Sequence, residues 1–438
     1  MRFIFLFFLL IFKNLDAFEY KNLKTNSGIE FWFVEDKSIP IVSVSFSFRG
    51  GSSIDIKDKN GISNLMTSLL DEGTRNLTSK QFKNEMKMNG MKLSFSTQKD
   101  KIDGVFQIIS AQAKDGFDLF YEALNHPSFN EVDINRVKRQ VISSIKIDES
   151  DLSTLASNKF NQHFFKDHVF SNNIKGSEES IKNITRTDLV NFHKKSFVKN
   201  NLVIGVAGNI NVNKIKKYIE LVFGELKDNQ QNYSIKQFKA LSVGQKFFEM
   251  KTPQSSVLFG HPGLERNNEN FFALRIANYI LGGGGFQSRL YKNIREKKGL
   301  VYSIYSYLLS YENDGVIVGG FQTRNKSVFQ TIENVKNEWK KLNKRGITKS
   351  ELDNAKAYFN GSFTRNFTST LSIARLLQVV QYYELGADYF IKREKIINSL
   401  NLEKVNGIIS EYFSNEKLFF MIVGEPEKKW FFYKRHLI

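Results

Sequence analysis

The sequence predicts an α+β protein of two homologous lobes, each a mainly antiparallel sheet with flanking helices, the two facing one another as a clam-like half chamber. Three observations predict it. Short alternating runs such as IPIVSVSFSF, Ile39–Phe48, read as strands. Strand and helix patterns intersperse without strict βαβ alternation, which favours antiparallel pairing over a doubly wound sheet. Stretches of the first half also recur in the second. SFVKNNLVIGVAGNI, ending at Ile210, aligns without a gap with YFSNEKLFFMIVGEP, ending at Pro426. Phe197, Leu202 and Gly208 match Phe413, Leu418 and Gly424 at a constant offset of 216 (413 − 197, 418 − 202, 424 − 208). Glu131-Val132-Asp133 matches Glu351-Leu352-Asp353 at 220 (351 − 131). Two matches in one order imply a duplication of about half the chain, with no short solenoid period.

The elements follow in order. Arg2 precedes the apolar run Phe3–Phe12, with Ala17 a small residue at a cleavage position, so residues 1–17 read as a signal peptide and the chain as exported to the periplasm. The run falls short of the roughly 20 residues of a membrane span. An uncleaved anchor is the alternative, and no transmembrane span is expected after it. Residues 18–226 form the first lobe. Gly28–Val34 and Ile39–Phe48 are strands, Pro40 being tolerable at a strand start. Arg49-Gly50-Gly51-Ser52 is a turn, Gly61–Thr74 a helix closed by Gly73, and Ser79–Met88 a polar helix. Lys92–Thr97 and Ile102–Ser110 form a hairpin pair. Helices cover Ala113–Leu124, one long stretch from Glu131 to about Phe164, and Thr187–Lys195. A strand, Leu202–Ala207, and a helix near Val212–Phe223 close the lobe. The polar stretch 227–244 suits an exposed linker, and 245–438 repeats the order as the second lobe.

Composition narrows the function classes. The 438 residues contain no cysteine, which excludes disulfides and thiolate metal sites. The net charge of +18 comes from lysines scattered along the whole chain. No dense basic block with interleaved aromatics and no nucleic-acid motif appears, so nucleic acid is not an expected partner. The glycine run Gly282–Gly285 lacks the Lys-Ser/Thr pair of a P-loop, and no GxSxG or dinucleotide fingerprint is present.

The helix Gly61–Thr74 carries the decisive pattern. Ile62, Leu65, Leu69 and Leu70 give it a buried face, while Asn64, Thr67 and Ser68, at i, i+3 and i+4, share the adjacent one. On a metallopeptidase helix that adjacent face would hold two histidines and a glutamate. None of the six histidines pairs at i and i+4 beside a glutamate.

Here the residues resemble a known family, the pitrilysin/insulinase-like zinc peptidases, which include the mitochondrial processing peptidase and two-subunit bacterial relatives. RGGSSIDIKDKNGISNLMTSLLDEGT is similar to the family's active-site segment, GSEESIKNITRTDLVNFHKKSFVKNNLVIGVAGNI to the end of its first lobe, and LGGGGFQSRLYKNIREKKGLVYSIYSY to its second-lobe signature. LQVVQYYELGADYF and MIVGEP also fit. The resemblance puts the two zinc-binding histidines at Asn64 and Ser68 and the catalytic glutamate at Thr67. It puts the third ligand, a glutamate about 76 residues beyond the second histidine, at Ser144. All four positions are neutral here, and neutral residues lack the charge that holds zinc. What persists is the pair Arg295 and Tyr302, which in active relatives reaches the zinc-bound substrate, and a glycine-rich loop, Gly282, Gly283, Gly284 and Gly285, which helps govern substrate entry. The resemblance therefore implies a non-catalytic subunit without its own metal or cofactor. Its expected partners are a peptide substrate and a homologous chain that carries HxxEH and the zinc. A non-enzymatic scaffold or peptide-binding protein of the same fold is the alternative.

Overall fold

The computed structural model describes residues 19–228, 235–238 and 241–427, so the expected signal segment, residues 1–17, lies outside the described residues. The first sheet contains β1 (Lys21–Lys24), β2 (Glu30–Glu35), β3 (Ile41–Arg49), β4 (Lys92–Thr97), β5 (Lys101–Ile109) and β6 (Leu202–Gly208), in the order β1-β2-β6-β3-β5-β4. The second contains β7 (Gly244–Glu249), β8 (Gln254–Pro262), β9 (Ile304–Ser310), β10 (Gly315–Arg324) and β11 (Phe419–Gly424), in the order β7-β11-β8-β10-β9. In each sheet one neighbouring pair is parallel, β2 with β6 and β7 with β11, and the rest are antiparallel. Omitting β1, the two sheets share one connectivity, so the duplication is a duplication of topology. No helix among the described residues is long and apolar enough to cross a membrane.

The alternation in β3 has a different meaning from a half-exposed strand. Val42, Val44, Phe46 and Phe48 face the first core, where Phe46 packs on Phe120 and Phe223 at ring separations of 5.3 and 5.4 Å. The opposite face, Ser43, Ser45 and Ser47, is also buried. It is covered by the helix Thr370–Tyr382 of the second half: Ser43 Oγ shares a 2.8 Å hydrogen bond with Thr370 Oγ1, and Gln378 donates to Ser47 Oγ. Small hydroxyl side chains let a helix lie close to a sheet and still satisfy their polar atoms. On the neighbouring strand Gly205 completes this approach, since a Cβ there would stand 2.1 Å from the Ala374 carbonyl oxygen.

The exchange is reciprocal. The helix Leu152–Phe164 of the first half packs on β8 and β11 of the second sheet. Phe160 and Phe164 lie against Phe419, and Gly260 leaves room for both rings. The two exchanged helices are each 13 residues long. They stand 218 residues apart (370 − 152, 382 − 164), as do their capping residues Asp151 and Ser369 (369 − 151).

Three sequence expectations need correction. The long helix from Glu131 is two helices, Glu131–Ser150 and Leu152–Phe164. Asp151 breaks it with an extended backbone, and its side chain accepts the Thr154 N–H at 2.8 Å as a new N-cap. The match of Glu131 with Glu351 at 220 is two residues out of register. The N-caps Asn130 and Thr348 are 218 apart (348 − 130), which pairs buried Ile134 with buried Leu352, whereas Val132 is 78% exposed. Finally, the Gly61–Thr74 helix is regular only over Ile62–Thr67. Beyond it the chain continues as tight turns, in which Leu69 N–H bonds to Met66 O and Glu72 N–H to Leu69 O.

Candidate functional site

The short helix Ile62–Thr67 begins at Gly61, whose φ of +93° and 2.5 Å approach of a would-be Cβ to Lys175 O both require glycine. Asp55 caps it by accepting the Gly61 N–H at 2.6 Å and the Ser63 N–H at 3.2 Å. Burial nonetheless pushes the Asp55 carboxyl up to about 6. Ile62, Leu65, Leu69 and Leu70 are buried as the pattern predicts. On the other face the polar groups are spent internally. Thr67 Oγ1 donates to Asn64 O at 3.0 Å and stands 3.2 Å from Thr97 Oγ1, and Ser68 Oγ donates to Asn64 O at 2.8 Å.

Ser144 sits on the helix Glu131–Ser150 and accepts the Lys175 ammonium at 2.7 Å, while Asp148 binds the same ammonium at 2.6 Å. The four positions thus offer one amide, three hydroxyls and an adjacent cation. This donor set does not fit a zinc ion, which needs neutral imidazoles and carboxylates free to bind it. Among the described residues no group of three His, Asp or Glu side chains is placed to hold a metal. The histidine rings of His168, His193 and His261 are bonded to backbone carbonyls, and His436 lies outside the described residues.

Arg295 and Tyr302 stand together at the other lobe. Arg295 ends the π-helical turn Tyr291–Glu296, and its guanidinium lies 4.9 Å from the Tyr291 ring centre and 6.0 Å from that of Tyr302. Tyr302 is 87% exposed. Beside it opens a cavity of about 900 Å³ lined by Tyr302, Tyr305, Tyr307, Gln322 and Arg324 and, from the exchanged helix, Ser153. Tyr305 and Tyr307 stack in parallel at 5.6 Å on β9, the edge strand of the sheet. Burial raises both their phenol pKa values. Reasoning from sequence missed these two rings, although the spacing in IYSY places them on one strand face. The three phenols can receive an extended peptide by stacking and hydrogen bonding.

The glycine run leaves the helix Phe271–Asn278 through a π-helical turn, Tyr279–Gly283. Gly282 is buried: a Cβ there would meet Ser306 Oγ at 2.3 Å. Asn278 holds the contact, donating to Ser306 O at 3.2 Å and accepting from Ser306 Oγ at 2.7 Å. Gly283 also packs on Ser306, Gly284 lies against Tyr279, and Gly285 takes φ +56° with nothing near it. The run ties the helix exit to β9 directly behind the tyrosine strand.

Two family models match the chain in succession: the insulinase model of peptidase family M16 over residues 32–178 and the peptidase M16 inactive-domain model over 183–359. A Helicobacter pylori protein named non-peptidase homolog YmxG is 26% identical, covering 95% of this chain and 97% of that protein. A Bacillus subtilis protein named uncharacterized zinc protease YmxG is 26% identical over 90% of this chain and 96% of its own. Among solved structures, a Pseudomonas fluorescens protein described as a peptidase M16 inactive domain superposes with a TM-score of 0.88 at 25% identity, covering 94% of this chain and 98% of that one. The fold is thus the two-lobed M16 fold, here without the residues that carry the family's metal chemistry. On these matches the chain belongs to the M16, or insulinase, family of peptidases.

Proposed function

We propose that this chain is the non-catalytic subunit of a two-chain zinc peptidase. A homologous partner carries the intact HxxEH helix and the zinc, and this chain binds peptide and completes the partner's active site with Arg295 and Tyr302. One contrast carries the reading. Thr67, Ser68 and Ser144 spend their hydroxyls on local bonds, the first two on the Asn64 carbonyl, whereas the Tyr302 phenol is 87% exposed beside the Arg295 guanidinium. A phenol and a guanidinium are hydrogen-bond donors suited to a peptide carbonyl, and a phenol so placed stabilises an oxyanion as it develops. Zinc held by the partner would supply the activated water for attack on that carbonyl. The basic start and apolar run of residues 1–17 support the reading that this complex is exported to the periplasm.

The test compares the lone chain with the chain co-purified with its partner from the native source. The lone chain should hold no zinc and cleave no peptide, and the complex should do both. Within the complex, Tyr302→Phe should lower kcat by roughly 100-fold while assembly by gel filtration is unchanged, the scale seen when one oxyanion donor is removed. Turnover equal to that of the unsubstituted complex would remove the proposed role. A second reading, a peptide-binding protein without any peptidase partner, is favoured by the tyrosine-lined cavity, whose walls all belong to this chain. Retention of peptide by the lone chain, with no HxxEH chain in the native complex, would establish it.

A further inference from the structure

The duplication points to a second site. Positions 61–70 and 272–281 carry an identical pattern of burial, in which only the fourth and eighth residues of each stretch are half-buried. These are Asn64 and Ser68 in the first lobe and Arg275 and Tyr279 in the second, 211 residues apart (275 − 64, 279 − 68). The offset of 218 between the longer helices likewise pairs Ser144 with Ser362 (362 − 144). The second-lobe counterpart of the emptied metal site is therefore the place where Arg275 and Ser362 meet. Both line one cavity of about 590 Å³.

That cavity is built around cations. Arg266, Arg275 and Arg393 line it, and Arg365 stands exposed among its walls. Ion pairs hold Arg49, Arg75, Arg136 and Arg289 elsewhere in the chain, but among the described residues no carboxylate forms an ion pair with Arg266, Arg275, Arg365 or Arg393. Aromatic faces hold the inner three instead. The Arg266 guanidinium lies 4.1 Å from the Phe271 ring centre, Arg275 4.9 Å from Phe359, and Arg393 4.2 Å from Phe363. Two hydrogen bonds fix them further, Arg266 to the Tyr389 hydroxyl at 2.5 Å and Arg393 to Phe359 O at 2.8 Å. Among the described residues the Arg275 guanidinium makes no hydrogen bond and is held by ring faces. Burial and the repulsion of Arg266 and Arg393 lower its pKa to about 10. Clustered guanidiniums without counter-charges are costly in a partly desolvated site, and an anion in their midst offsets that cost. Leu308, Leu376 and Val380 add an apolar stretch to a wall that also holds Ser310, Ser362 and Asn366.

We propose that this cavity binds a carboxylate borne on an apolar or aromatic body, with Arg275 as the central donor. Guanidinium forks match a carboxylate in two parallel hydrogen bonds, and the leucine and aromatic wall takes the apolar part. The volume lies within the range of small-ligand pockets and is too small for the paired chains of a lipid. Two sources supply such a group: the free C-terminus of a peptide with an apolar last residue, and a small aromatic acid. The site is separate from Arg295 and Tyr302 and needs no partner subunit.

The test is calorimetric titration of the lone full chain with four probes: N-acetyl-Leu-Phe with a free carboxylate, the same dipeptide amidated, 3-phenylpropionate and inorganic phosphate. Binding of the dipeptide acid, of phenylpropionate or of both supports the proposal, and which of them binds tighter identifies the source. The amide should bind at least ~10-fold more weakly, as should the acid to Arg275→Gln, the scale of a charge-assisted bond. Should Arg275→Gln fail to fold by circular dichroism, Asn366→Trp decides: it fills the cavity from its wall while leaving every arginine in the chain, and should also abolish binding. The proposal is overturned if neither carboxylate binds, if the amide binds as tightly as the acid, if phosphate matches the acids, or if binding survives in a folded Arg275→Gln or in Asn366→Trp.

Discussion

Lys175 places its ammonium 2.7 Å from Ser144 Oγ and 2.6 Å from Asp148 Oδ2, so the position to which the resemblance assigns a metal-binding carboxylate here serves as the acceptor of a lysine. The bond explains why the loss of zinc chemistry is more than four missing side chains. Restoring Asn64→His, Thr67→Glu, Ser68→His and Ser144→Glu together would place the new glutamate against an ammonium that already occupies its oxygens. The four-fold variant should therefore bind zinc poorly, and adding Lys175→Ala should raise its affinity at least ~10-fold, since an adjacent unit charge is worth more than 1 kcal/mol in a partly buried site. Equal zinc affinity with and without Lys175, measured by competition with a chromogenic chelator, would show that the lysine plays no such part.

The exchanged helices make the two halves one folding unit, and their glycines are the sensitive points. Gly205→Ala drives a Cβ to 2.1 Å from the Ala374 carbonyl oxygen, where neither backbone can yield without shifting a sheet or a helix. It should cost about 2–3 kcal/mol, the upper part of the range for overpacking. Gly361→Ala is the control. Gly361 lies in the helix Lys349–Phe363 with open space around its Cβ, so alanine should stabilise the protein by about 0.5–1 kcal/mol. Urea unfolding of both variants checks the pair, and a Gly205→Ala protein as stable as the parent would mean the helix is not held that closely.

Asp151 divides what would otherwise be one 34-residue helix, Glu131–Phe164, and sends its second part onto the other lobe. Hydrogen bonds from the Thr154 hydroxyl and from the Thr154 N–H hold its pKa below the usual carboxylate range. Asp151→Ala should lower stability by about 1 kcal/mol, the typical loss of an N-cap, and Asp151→Asn by less. Denaturant curves of the two variants at neutral pH distinguish a cap from a merely exposed acid, which would give two equal and negligible changes.

These elements show which parts of the molecule local sequence could announce. Strands β2 to β6 of the first sheet, the repeat and the apolar face of the Gly61 helix follow from period and spacing, which act within a few residues. The break at Asp151 was hidden because Val141, Ile145 and Leu155 keep an apolar stripe on both sides of it. The burial of Ser43, Ser45 and Ser47 was hidden because the helix that covers them comes from more than 300 residues away. The positions Asn64, Thr67, Ser68 and Ser144 could be named by resemblance, but Lys175 could not, since only folding carries it to Ser144. The same holds for the arginine cavity, whose members spread from Arg266 to Arg393 and make no motif.

Asp100 provides the last prediction. Its side chain is buried, its Oδ2 has no hydrogen-bond partner, and burial pushes its pKa from 3.8 up to about 6, with Lys101 opposing the rise. A carboxyl whose folded pKa lies above its unfolded one binds its proton more tightly when folded. Its contribution to stability is therefore complete below pH ~4 and is lost as pH rises through about 6. Asp100→Asn removes the ionisation in a side chain of nearly the same shape. Relative to the parent, the variant should gain about 2 kcal/mol of stability between about pH 4.5 and pH 8, at 1.36 kcal/mol per unit of displaced titration. Asp55, raised in the same direction, is present in both proteins and cancels from the difference. Thermal or urea unfolding across that pH range, parent against variant, reads the difference directly. A stability difference independent of pH would mean that Asp100 titrates in the folded protein as it does in the unfolded chain.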